Sequence, residues 1–149
     1  CEHLRTAYTT KDIDFLRQVF SDEVLIIVGN VVKESATTAG IGSDSRVTYA
    51  LHTKRDYLSR LAKVFAINKT VDVKFSDFRI MRHPTKDGIY GVSLRQRYSS
   101  DRYSDDGWLF LLWDFRNPSM PLIHVRTWQP SATVGSSEGV IDISDFNLE

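Results

Sequence analysis

A chain of 149 residues, 42% hydrophobic and 26% charged, has the balance of one ordinary globular domain and too little length for two separate cores. Its 19 basic and 19 acidic residues cancel, which removes any general pull toward nucleic acid or an anionic membrane, and the arginines lie scattered among acids from Arg5 to Arg126. The lone cysteine, Cys1, excludes an intrachain disulfide and a thiolate metal cluster, and no apolar run approaches the roughly 20 residues of a membrane helix.

The opening Cys1-Glu2-His3-Leu4 lacks an initiator Met and is already helical in pattern, so residues upstream are expected and an extracytoplasmic (periplasmic or secreted) setting stays open. A cysteine inside a helix outweighs a lipid-acceptor role for Cys1. Leu4, Ala7 and Tyr8 mark one face of a first short helix. Thr9 or Thr10 is the expected cap of a second, with Ile13, Leu16, Val19 and Phe20 as its buried stripe and Ser21-Asp22 as its stop. The β-branched run Val24 to Val32 predicts a strand buried on both faces, and Lys33 to Ser45, without periodicity, a long mobile loop leading to a return strand over Arg46 to Leu51. Thr53 then caps a long helix with Tyr57, Leu58, Leu61, Ala62 and Phe65 inward, ended by Asn68-Lys69.

Four strands follow. In Val71 to Arg82 the inward parity slips between Phe75 and Phe78, which predicts a β-bulge at Ser76-Asp77. Tyr90, Val92, Leu94, Gln96 and Tyr98 alternate with Gly91, Ser93, Arg95 and Arg97 in the next, and Ser99 to Gly107 reads as a polar loop. Trp108 to Phe115 is apolar on both parities, so both faces need cover, whether from helices, a second subunit, another domain or the chain's own tail. A homodimer or a docking partner is therefore expected. The last strand, Leu122 to Gln129, precedes residues 131–149, a loosely docked tail with Val140, Ile141, Ile143 and Phe146 among acids.

This order, two helices, a hairpin, a helix and four antiparallel strands, is an α+β pattern that resembles the nuclear transport factor 2-like fold, also called the cystatin-like or SnoaL-like cone. The run from Tyr8 to Asp22 is similar to the opening of that superfamily. Arg82-His83-Pro84, Ile89-Tyr90-Gly91-Val92, Leu109 to Phe115 and His124 to Pro130 look like a bacterial branch of unassigned function. The resemblance spans about Leu4 to Pro130 and implies a curved sheet wrapped round the long helix, a pocket at the wide end and, frequently, a dimer through the outer sheet face. It implies no particular activity, because this cone hosts isomerases, cyclases, dehydratases, transport adaptors and binding modules.

Two sets of side chains are candidates for chemistry. On neighbouring strands stand Arg95 and Arg97, then Asp114, then His124, Arg126 and Trp128. A histidine beside a carboxylate makes a tuned general base, so His124 and Asp114 are the catalytic pair of an isomerase, cyclase or dehydratase reading, with Arg95 or Arg126 holding an anion. Against this, Asp114 pairing with an arginine at a strand end, His124 as a hydrogen-bonded sheet residue and Trp128 as packing is the commoner arrangement. The second set, Tyr8 and Tyr57, would put hydroxyls into the pocket. Compared with steroid-isomerase-type members, no carboxylate stands between Val24 and Val32. His3, His52, His83 and His124 lack ligand spacing, the acid-rich stretch Asp101 to Gly107 lacks the pattern of a calcium loop, and no phosphate or dinucleotide fingerprint occurs, so no metal or cofactor is expected. A non-catalytic module that binds a small apolar or anionic ligand, or a protein partner, fits these residues best. A structural domain of a longer protein is the remaining alternative.

Overall fold

The computed structural model describes residues 1–33, 45–131, 134 and 140–146, so most of the long loop expected after Lys33 lies outside the described residues. The first helix, α1 (Glu2–Thr9), buries Leu4, Ala7 and Tyr8. Lys11 turns the chain with a positive φ of 59°, and α2 (Ile13–Val19) follows. Its cap is Asp12, whose Oδ1 accepts the Phe15 N–H at 3.0 Å. The expected caps, Thr9 and Thr10, instead donate their hydroxyls to the Thr6 carbonyl at 3.0 and 2.7 Å and finish α1. Phe20, expected as the end of the helical stripe, already begins strand β1 (Phe20–Lys33) and is fully buried there.

Strand β2 (Ser45–His52) returns antiparallel to β1. In α3 (Lys54–Ile67) the Thr53 hydroxyl accepts the Asp56 N–H at 3.1 Å, and the Asn68 N–H and side-chain amide both close on the Val64 carbonyl. The remaining strands are β3 (Val71–Arg82), β4 (Ile89–Ser100), β5 (Ser104–Asp114) and β6 (Leu122–Pro130). The β3–β4 turn depends on Gly88, whose φ of +81° a side chain would resist, and whose carbonyl accepts the Phe115 N–H at 2.8 Å. All six strands form one sheet in the order β2-β1-β6-β5-β4-β3, antiparallel except where β1 runs parallel to β6.

Register slips mark three bends: between Phe20 and Leu25, between Ser76 and Arg79, and where Leu112 and Trp113 face Val125 and Ile123. The second is the bulge expected at Ser76-Asp77, with Asp77 in left-handed backbone at φ 55°. Beyond it Phe78 and Ile80 stay largely exposed.

The helices cover one sheet face. Leu4 and Leu16 pack there on Ile26, Leu94, Leu109 and Leu111, all nearly inaccessible. On the other face Phe110 and Leu112 sit with Ile89, Val125 and Ile143. Their cover is the chain's own tail: Phe146 stacks on Phe110 at 5.4 Å, the Ile141 N–H donates to Gln129 Oε1 at 2.8 Å, and Asp142 and Asp145 box a short 3-10 turn, Ile143–Asp145. Further along this face, Leu25, Tyr49 and Leu51 remain exposed.

Candidate functional site

A cavity of about 590 Å³ lies between α3 and the sheet, within the usual range for small-ligand sites. Val28 of β1 and Tyr98 of β4 both reach it although two strands separate them, so the sheet curls around the helix. Its walls come from the C-terminal turns of α3 and from the ends of β4 and β6 together with the start of β5.

Tyr8, from the last turn of α1, and Tyr57, from the first turn of α3, meet in this cavity by a hydrogen bond between their hydroxyls. Phe65 and Phe20 fix the two rings edge-on at 6.4 and 5.7 Å. The Arg126 guanidinium lies 5.0 Å above the centre of the Tyr57 ring, a cation–π contact. Burial holds the Tyr57 hydroxyl well above the ordinary phenol range, so it stays protonated. Arg126 itself is only 7% exposed, and among the described residues no carboxylate stands within ion-pair distance of it. Trp128, next on the same face of β6, lines the cavity beside it.

The cavity also has polar residues that spacing and parity do not mark as site candidates, among them Asn68, Gln96, Tyr98, Tyr103 and Asp105. Asp105 falls in the stretch expected to be a loop, but β5 already begins at Ser104 and pairs it with Tyr98. Burial raises its carboxyl above the usual range, opposed by the neighbouring Tyr103 hydroxyl and by the charge of Arg126. Tyr103 is pushed up to about 12 by burial and by Asp105, and remains a donor. One Asp105 oxygen, Oδ1, and Asn68 Oδ1 are buried without a hydrogen-bond partner.

The other candidates stand elsewhere. Asp114 and His124 do meet, with His124 Nε2 2.8 Å from Asp114 Oδ2, but at the opposite end of the strands and not among the cavity walls. Asp105 and Asp114 are separated by roughly 30 Å of extended strand. Arg116 grips Asp114 from its backbone N–H at 2.9 Å, from Nε at 3.0 Å and from Nη2 at 2.7 Å, and holds the carboxyl far below the usual range against the opposing effect of burial. Arg95 points to the outer face and is clamped in two hydrogen bonds to Asp106, at 2.9 and 2.6 Å. The structure thus brings Tyr8, Tyr57, Arg126 and Trp128 together and leaves Arg95, Asp114 and His124 outside. Among the described residues no group of three or more His, Cys, Asp or Glu is placed to hold a metal ion, and no helix is long and apolar enough to cross a membrane.

No family model matches the chain, and no curated protein does. Solved structures do. Bd1075 of Bdellovibrio bacteriovorus is 17% identical, with a TM-score of 0.60 over 85% of this chain, which spans only 36% of that protein. Naphthalene 1,2-dioxygenase with indole bound in its active site is 7% identical, with a TM-score of 0.63 over 85% of this chain and 72% of its own. An NTF2-like protein from Cytophaga hutchinsonii is 12% identical, with a TM-score of 0.57 over 85% and 88% of the two chains. At such identities the likeness is one of fold, and with its element order and the hollow beside α3 the chain has the nuclear transport factor 2-like fold.

Proposed function

We propose that this domain is a non-catalytic binding module whose cavity holds a small, largely apolar ligand carrying an anionic group, with Arg126 as its counter-charge. The single observation that carries this reading is a buried guanidinium without an ion-pair carboxylate among the described residues, at the wall of an open cavity whose apolar part is built from Val28, Leu61, Val64 and Trp128. A desolvated cation is costly unless something pairs with it, and a ligand carboxylate does so with two parallel hydrogen bonds. The seclusion and saturation of the Asp114–His124 pair support binding over acid–base chemistry.

The test is titration of the whole chain with hexanoate, benzoate and their alcohol counterparts, followed by tryptophan fluorescence, since Trp128 lines the site. Carboxylates are expected to bind at least tenfold tighter than the alcohols, and Arg126→Met to erase that preference while the circular dichroism spectrum is retained. Equal binding of acids and alcohols, or a preference that survives in Arg126→Met, overturns the reading. A second copy of the chain is the protein partner favoured by the exposed strip of Leu25, Tyr49 and Leu51. Sedimentation of Leu51→Glu against the parent is expected to shift a dimer to monomer, and a parent that sediments as a monomer at high concentration refutes it.

A further inference from the structure

We propose that the cavity takes a zwitterion, a molecule carrying both a carboxylate and a protonated amine, with Arg126 on the first and Asp105 and Asn68 on the second. This deepens the binding role proposed above and rests on it.

The polar groups of the cavity divide by kind. Arg126 offers only donors, and its counter-charge is not supplied by any carboxylate within ion-pair distance among the described residues. Three buried atoms of the cavity are left without hydrogen-bond partners among the described residues: the acceptors Asp105 Oδ1 and Asn68 Oδ1, and the Tyr98 hydroxyl, which can accept or donate. Asn68 is 5% exposed; one N–H of its amide is given to the Val64 carbonyl at 2.8 Å, and its oxygen is without a partner among the described residues. A hydroxyl ligand has one donor to share among these three oxygens; an ammonium has three donors and no acceptor, and can serve all three as acceptors.

Charge gives the same division. A simple carboxylate drawn in by Arg126 would enter a space that already holds the carboxyl of Asp105, and a simple amine drawn to Asp105 would meet the guanidinium. Arg126 and Asp105 sense each other's charge yet form no ion pair, so neither cancels the other and a gap remains for a molecule that bridges both. Trp128, Leu61 and Val28 then face the carbon body between or beside the two poles.

Calorimetric titration of the whole chain at pH 7 tests this with two sets of probes: phenylalanine, N-acetylphenylalanine and phenylalaninamide; and 6-aminohexanoate, hexanoate and hexylamine. In at least one set the zwitterion is expected to bind tenfold or more tighter than both of its singly charged relatives, and Asp105→Asn to bring the ratio of zwitterion to carboxylate close to one. The comparison on the unaltered chain stands even if the variant folds poorly. Carboxylate-only probes that equal or exceed the zwitterion in both sets overturn the proposal while leaving the anion site intact, as does an undiminished ratio in folded Asp105→Asn. Absence of binding by any of the six probes overturns the zwitterion proposal and the anion reading together.

Discussion

Four donors, three from Arg116 and one from His124, converge on the two oxygens of Asp114, and acid weakens all four bonds by neutralising the carboxylate. The folded carboxyl titrates below the unfolded value of about 3.9, so its contribution is complete above that pH and is lost as the pH falls toward the depressed folded value. Asp114→Asn is therefore expected to cost about 2 kcal/mol in urea unfolding at pH 7, with the gap to the parent narrowing below pH 4. A second test concerns Gly107, where an added Cβ would stand 2.5 Å from the Gln129 carbonyl oxygen and run into the Trp128 ring. Gly107→Ala is expected to cost about 1–3 kcal/mol and to shift tryptophan emission as Trp128 is pushed toward the cavity. The same scale explains which site residues were legible in the sequence. Tyr8 and Tyr57 follow from helical spacing, and Trp128 and Arg126 from strand parity. His124 shares that parity in sequence, but the bulge at Leu112/Trp113 inserts it as the extra residue and breaks the alternation, which a list of residues does not reveal. Asp114 shares the parity of Phe110 and Leu112, the outer face.

At the scale of elements, the tail from Val140 to Phe146 does for β5 what a partner subunit was expected to do. Phe146→Ala removes the ring stacked on Phe110 and is expected to lower stability by about 1–2 kcal/mol. It is also expected to raise binding of a hydrophobic dye, measured on the folded chain, because Phe110 and Leu112 lose their cover. The element order, the cap of α3 and the β3 bulge were legible because each has a local cause: a spacing, a hydroxyl one turn before an acid, a parity slip. The start of β5 was not. Ser104, Asp105 and Asp106 look like loop by composition, yet their pairing with β4 continues the ladder set up by Leu94 to Tyr98. A long-range register of this kind, and with it Asp105 as a wall of the cavity, has no short-range signature.

At the scale of the whole molecule, binding and stability pull in opposite directions. The Arg126 guanidinium is desolvated without an ion-pair carboxylate among the described residues, so an apolar replacement of similar length relieves the fold as it disables the site. Arg126→Met is expected to be more stable than the ligand-free parent by about 1 kcal/mol or more and so to unfold at a higher temperature, and scanning calorimetry of the two proteins decides it. The parallel pairing of β1 with β6 has a temporal consequence. Val28 must wait for Trp128, about 100 residues later, before its second flank is matched. At an elongation rate of roughly 5–20 residues per second, that interval is on the order of 5–20 s. During vectorial synthesis Ile26, Ile27 and Val28 thus spend seconds with one bare flank. A nascent chain stalled before Leu122 is the species most open to capture of that strand by a neighbouring polypeptide.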